Sequence, residues 1–404
     1  MKPFSSNSPE SMLASITDAM TDRVEPRCRH FGTCGGCQLQ HLAQASQLTA
    51  KQAMLIDLLK QAGIAAVPEI QVHSAEPWFY RNRIRMRVQG EDIGYSRRAS
   101  NDFLPVDECP IASPLLLEIA LNARDLVRAG KAKWPVNTST VELFCDADET
   151  SVQMSLQLDA TVSTVDRDAP RDLRSLCEAL QGTHPQLVGS GLSVAGTPDP
   201  AQSRRVRESV RVEIARWGAP QLTYRVKDRS YNITRGAFFQ VNRFLTGTMV
   251  DLVVGSRSGS LAFDLFAGAG LFSVPLAERF TQLIAVEIGE PAATDLAAHL
   301  RSTGTQQQTH RCTSLDFLQK DAPRLATHPD LIVLDPPRAG LGMPTVNALL
   351  RTNAREIVYV SCDAGTFVRD AKPLIESGYT LSALHLLDLF PQTFHTETIA
   401  VFRR

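Results

Sequence analysis

The chain has 404 residues, 43% of them apolar and 21% charged, with a net charge of −1. That is the composition of a globular protein with room for two or three domains, each with its own core. It neither demands nor excludes a nucleic-acid partner. No apolar run approaches the ~18 residues that cross a bilayer, so a membrane-spanning helix is not expected.

Residues 1–27 are polar and lack the continuous apolar core of a secretory signal, so they are expected to be a flexible lead-in to a cytoplasmic protein. A cysteine cluster follows, CRHFGTCGGC, placing Cys28, Cys34 and Cys37, three of the eight cysteines, within ten residues. Without a secretory signal such thiols read as metal ligands or catalytic groups before disulfides, and C-x2-C spacing also suits zinc. Helical patterning runs from about Gln47 to Ala62 and stops at Gly63, completing a segment 28–69.

Residues 70–231 read mainly as strands, RIRMRVQG, TVELFCDAD, SVQMSLQLDA and VRVEIARW, interrupted by the helical segment RDLRSLCEALQ. This predicts an α+β middle domain. Arg81, Arg83, Arg85 and Arg87 recur at every second position, with Arg97 and Arg98 close behind. On a strand that spacing puts four guanidinium groups on one face, either a solvated surface or a ridge that binds phosphates. Arg204, Arg205, Arg207 and Arg211 form a second cluster, read as solvated.

From 232 to 404 short apolar runs alternate with helical segments, which implies a mostly parallel sheet covered by helices on both faces. Ligands of such sheets sit outside the carboxyl ends of the strands. The first run ends in DLFAGAGLF, where Phe266 precedes a G-x-G loop, and the second ends at Glu287, seventeen residues past Gly270. An acid there can accept hydrogen bonds from both hydroxyls of a ribose, so loop and acid together favour a nucleoside-containing cofactor over a structural turn. The run LIVLDPPRAG holds Asp335 rigidly ahead of two prolines. EIVYVS ends at Cys362, where polar flanks and edge position favour a nucleophile over a core thiol. Cys145, Cys177 and Cys312 read instead as small core residues, and FPQTFHTE supplies Glu397 as a candidate base just before the last strand.

In combination these pieces resemble the S-adenosylmethionine-dependent RNA (uracil-5-)-methyltransferase family, in its iron–sulfur branch acting on 23S ribosomal RNA. The resemblance runs from Cys28 to the C-terminus through DECPI, YRN, GAFFQVN, DLFAGAG, AVE, LDPPRAG, YVSC and FPQTFHTE. It implies a C-terminal class I (Rossmann-like) methyltransferase domain with S-adenosylmethionine contacts at Gln240, Phe266, Glu287 and Asp335, and a further acidic contact at Asp316. It implies Cys362 as the nucleophile and Glu397 as the base. It also implies a 4Fe-4S cluster on Cys28, Cys34, Cys37 and Cys109 and RNA as partner; the oligomeric state stays open, with a monomer favoured.

Three departures from the pattern stand out. Asp363-Ala364 replaces the usual Asn-Pro after the nucleophile, and Leu271 replaces a polar cofactor contact of some relatives. The 27 residues before Cys28 are too few for the small β-barrel RNA-binding domain that many relatives carry. A transfer RNA substrate or cytosine-5 methylation remains open as an alternative. Exocyclic-nitrogen methylation needs no thiol, and the C-x3-C-x2-C spacing of radical enzymes is absent. A non-enzymatic RNA-binding module with a structural metal would have no use for Cys362.

Overall fold

The apolar runs of the C-terminal part assemble into an eight-stranded sheet. Across it the strands lie in the order Ile70–His73, Thr380–Leu387, Glu397–Arg403, Glu356–Ser361, Leu331–Leu334, Gly259–Leu265, Phe280–Val286 and Gln306–His310. All pairings are parallel except those of Glu397–Arg403, which runs against both of its neighbours. Leu331–Leu334 is buried along its whole length, as expected of a central strand covered on both faces. The outermost strand, QQQTH, is largely exposed and polar, which is why no apolar run marks it in the sequence.

This computed structural model describes residues 8–196, 211–301, 306–325 and 328–404. The chain divides into two compact units, one of Met1–Pro26, Cys37–Pro77 and Ala237–Arg404, the other of Arg27–Gly36 and Trp78–Gly236. That division differs from the expected linear order of domains. Ile70–His73, read as the start of the middle domain, instead pairs with Thr380–Leu387 in the methyltransferase sheet.

The lead-in to the cysteines also differs from expectation, because Pro9–Asp18 is a helix. Ser8 caps it by accepting a hydrogen bond from the Ser11 N–H at 3.1 Å, and Pro9 supplies a ready-made first-turn φ. Leu13 is fully buried in the core of the methyltransferase unit, with Met12 and Ile16 packed against that core. A one-sided helix of mostly small polar residues buries little, which hid it in the composition. Gln44–Gln61 is the expected helix, and Gly63 follows it at φ +78°.

The second unit is a seven-stranded sheet in the order Phe103–Pro105, Asp92–Ser96, Arg83–Gln89, Thr138–Cys145, Val152–Leu158, Leu187–Ala195, Arg211–Gly218. Two helices share its core, Ala169–Gln181 as expected and Pro114–Arg128, whose Leu116, Ile119, Ala120, Ala123 and Val127 keep helical spacing. A separate hairpin, Gln221–Val226 with Arg229–Thr234, completes it.

The alternating arginines do not form a free ridge. Arg83 and Arg85 both reach one carboxylate, Glu142 on the neighbouring strand, and Arg83 also lies 4.1 Å from the centre of the Phe144 ring. Burial works against that carboxylate, but the two guanidinium groups outweigh it and hold its pKa below the ordinary value. Arg87 stacks near Phe103 and donates to Asn101 O and Ser96 Oγ. Arg85, Arg97 and Arg98 remain exposed, while Arg204, Arg205 and Arg207 lie outside the described residues.

Candidate active site

Gly259–Leu265 ends at Phe266, which takes φ +64° although it carries a side chain. A left-handed non-glycine residue costs about 1–2 kcal/mol and turns the chain sharply off the sheet. Gly268 and Gly270 continue the turn at φ +54° and +92°, and a Cβ on Gly270 would meet Leu296 Cδ1 at 2.9 Å. Glu287, one strand over, accepts from the Gly268 N–H at 2.9 Å and the Gly289 N–H at 2.6 Å. These bonds orient the carboxylate and leave each oxygen a lone pair for a ligand.

Below the loop lies Asp264, fully buried, with Ser273 Oγ donating to Oδ2 and no partner at Oδ1 among the described residues. Burial first, opposed by Ser273 and reinforced by Glu287, raises its pKa to about 7. Asp335 is raised to about 7 as well, by desolvation, then by Asp264 and Glu287. Gln240 Nε2 donates to Asp335 Oδ2 at 3.4 Å, so two of the expected cofactor residues meet directly.

Cys362 stands at the end of Glu356–Ser361. Ser361 pairs with Thr398, so the thiol at the end of one strand adjoins Glu397 at the start of the next. Burial, then Glu397 and Asp335, push the thiol up to about 12, against the opposing pull of Arg338. Glu397 is only 4% exposed, and desolvation, with Asp335 adding, raises its pKa well above the ordinary range. Arg338 Nη2 contacts the His395 ring at 3.0 Å from Nε2. The substituted Asp363 caps the following helix, accepting from the Thr366 N–H at 2.8 Å, so this loop keeps a fixed start without the proline.

Phe266, Glu287, Asp335, Cys362 and Glu397 are thus gathered at one edge of one unit. Asp316 lies in the first turn of the helix Ser314–Lys320, where it accepts from Thr313 Oγ1 at 2.6 Å and from Lys320 Nζ at 2.5 Å. Asp264, Arg338 and His395 were not singled out by sequence reasoning. The signal for Asp264 was present, since an aspartate inside the apolar run LAFDLF has no reason to be there structurally.

Comparison with known proteins bears directly on this site. Residues 316–404 match the family described as tRNA (Uracil-5-)-methyltransferase. The chain is 30% identical to the 23S rRNA (uracil(1939)-C(5))-methyltransferase RlmD of Pseudomonas fluorescens, over 96% of this chain and 82% of that protein. The chain belongs to the S-adenosylmethionine-dependent RNA (uracil-5-)-methyltransferase family. An RNA methyltransferase of Aquifex aeolicus is 28% identical over 97% of this chain and 87% of its own length. The solved Pyrococcus abyssi tRNA (uracil-54, C5)-methyltransferase in complex with S-adenosyl-L-homocysteine shares the fold, with a TM-score of 0.69 and 22% identity. That likeness covers 91% of this chain and 85% of that one.

The methyltransferase's residues suit the methyl donor. A sulfonium with an α-amino group is cationic, and the edge offers Asp264, Glu287 and Asp335 with an unpartnered buried oxygen among them. The cysteines of the first motif are arranged less completely. Cys28, Cys34 and Cys109 share one unit, and Cys28 is raised to about 11 by burial, with Cys109 and Cys34 adding to the rise. Cys37 belongs to the other unit, and among the described residues no group of three or more His, Cys, Asp or Glu side chains is gathered to hold a metal ion.

Two predictions test these electrostatics. Because Asp264 is raised in the folded state, the native protein holds a proton that the unfolded chain has lost between about pH 4 and 7, so stability falls as pH rises through that window. Asp264→Asn keeps an acceptor for Ser273 and should therefore gain roughly 2–4 kcal/mol at pH 8 and almost nothing at pH 4 in thermal unfolding. Equal gains at both pH values would refute the assignment. Cys362 in the ligand-free protein should be alkylated slowly at pH 8, with a rate climbing about tenfold per pH unit to pH 10. A plateau near pH 9, read by mass spectrometry of the modified peptide, would show an ordinary thiol.

Proposed function

We propose that this chain methylates carbon 5 of a specific uridine in RNA, in 23S ribosomal RNA, through a covalent adduct with Cys362. The observation that carries the reading is the strand pairing that sets the Cys362 thiol beside the buried Glu397 carboxyl, next to Asp335. Carbon 5 of uracil is too weak a nucleophile to take a methyl group unaided. The Cys362 thiolate adds to carbon 6, forming a C–S bond while the C5–C6 π electrons move onto the O4 enolate and load carbon 5. S-adenosylmethionine, held by Gln240, Phe266, Glu287 and Asp335, supplies the methyl group and a positive charge among these acids. Glu397 then takes the proton from carbon 5, the C–H electron pair restores the C5–C6 bond, and Cys362 leaves with its electrons. A raised pKa makes Glu397 a stronger base for that step, and the Arg338 guanidinium favours the thiolate. Both groups need the base out of its stack, so the target is a flipped or single-stranded uridine. Exposed Arg97 and Arg98 of the second unit supply contacts to phosphates.

The test is methylation of transcribed 23S ribosomal RNA and transfer RNA by the purified protein, with the product nucleoside identified and mapped by mass spectrometry. The expected product is 5-methyluridine at one 23S position. Methylation confined to transfer RNA would move the substrate, and 5-methylcytidine would overturn the reaction. Cys362→Ser should abolish turnover while S-adenosylmethionine still binds. Glu397→Gln should accumulate a denaturant-stable RNA–protein adduct, because methylation precedes the proton loss that frees the cysteine.

Cys28, Cys34, Cys37 and Cys109 are proposed to hold a 4Fe-4S cluster with a structural role. Support comes from the motif spacing and from the influence of Cys109 and Cys34 on Cys28 within their unit. Protein purified without oxygen should be coloured and contain about four iron atoms and as many sulfides per chain. A colourless protein with stoichiometric zinc would make the site a zinc site, and a metal-free one would remove the proposal.

A further inference from the structure

Between the strand Thr380–Leu387 and the strand that begins at Glu397 the chain runs through a loop, Asp388–Thr396. Its end carries His395, in contact with Arg338, and leads straight into Glu397. A loop beside an active site is ordinarily held by its own side chains or left mobile. This one is held by the N-terminal segment of the same unit.

Lys51 and Asp388 are both fully buried and pair at 2.7 Å, and Lys51 Nζ also donates to Phe390 O at 3.1 Å. One turn earlier in the helix, Gln47 has no exposed surface and meets Gln392 twice: its Nε2 donates to Gln392 Oε1 at 2.9 Å, and its Oε1 accepts from the Gln392 N–H at 3.0 Å. The Gln38 and Leu39 N–H groups both donate to Gln392 O at 2.9 Å. Gln392 itself sits at φ +69°, a conformation a glutamine leaves readily unless it is clamped. Further along, the Phe394 N–H donates to Gln38 Oε1 at 3.3 Å. Such a buried network, all of it more than 330 residues from the loop in sequence, is expensive to bury and unnecessary for a mere turn.

We propose that Gln47 and Lys51 are positioning residues, which hold the loop Asp388–Thr396 so that Glu397 meets the carbon-5 proton. The inference rests on the reading of Glu397 as the base. Loosening the loop should slow proton removal while leaving cysteine addition and methyl transfer in place, so methylated adduct should build up.

The experiment uses the full-length protein with Gln47→Met, and with the pair Lys51→Met and Asp388→Leu, which removes both buried charges together and so avoids stranding one. Single-turnover reactions on RNA tritiated at uracil carbon 5 would follow tritium release, denaturant-stable adduct, cofactor affinity and melting temperature. Tritium release slowed by about tenfold or more, with adduct accumulating and cofactor affinity within about twofold of the parent, is the expected result. Folded variants that release tritium at the parental rate would overturn the proposal. So would uniform loss of all steps without adduct, which is what plain destabilisation produces. Glu397→Gln runs alongside: parental release from that variant sinks the base assignment itself, whereas its failure to release combined with normal Gln47→Met sinks only the positioning role.

Discussion

The strand Glu397–Arg403 runs antiparallel to both of its neighbours, Glu356–Ser361 and Thr380–Leu387, so its first residue lies where theirs end. In a sheet that is otherwise parallel, ligand-facing residues come from strand ends, because the chain leaves the sheet there and side chains are free of the ladder. A parallel final strand would deliver Glu397 to the opposite edge. The reversal brings Glu397, thirty-five residues past the thiol in sequence, to the thiol itself. The register Ser361 to Thr398 is therefore the contact on which the proposed catalytic geometry turns.

The same edge concentrates acidic groups that burial keeps from ionising freely. Asp264, Asp335 and Glu397 are all pushed upward by desolvation, and each adds to the difficulty of ionising a neighbour. A fold selected for stability alone would replace such groups with amides or apolar residues. Their presence marks a site whose stability is completed by a cationic ligand, and Arg338 is the local cation that acts on the thiol. The strained backbone at Phe266 belongs to the same edge, since it turns the chain off the sheet two residues past Asp264.

The N-terminal segment of the methyltransferase unit acts as a brace for this edge. Leu13 enters the core, the helix Gln44–Gln61 packs along it, and Lys51 and Gln47 close on the loop before the last strand. A charge pair with no exposed surface contributes little net stability compared with apolar packing, but it admits only one arrangement of its partners. Here that arrangement sets the entry of the strand that begins at Glu397.

Much of this was legible in residue order. Alternating apolar runs and helices specified the parallel sheet, and the place where each run stopped put Phe266, Glu287, Asp335 and Cys362 at one edge, since strand periodicity is a local property. The order of short motifs specified the family. What the sequence by itself could not determine were the matters settled by contacts between distant residues. The arginines at alternate positions gave a charged face, yet whether it was free depended on Glu142, which lies on another strand. The N-terminal residues looked loosely ordered because one buried leucine and its neighbours have meaning only against a core built from the other end of the chain. Gln47 and Lys51 read as ordinary polar helix positions, and only the fold, by closing a separation of 345 residues between Gln47 and Gln392, made them part of the site. Local pattern encodes the elements and their faces; which polar groups are buried together is decided by tertiary packing, because an unpaired buried donor or charge is tolerated only where a distant partner arrives.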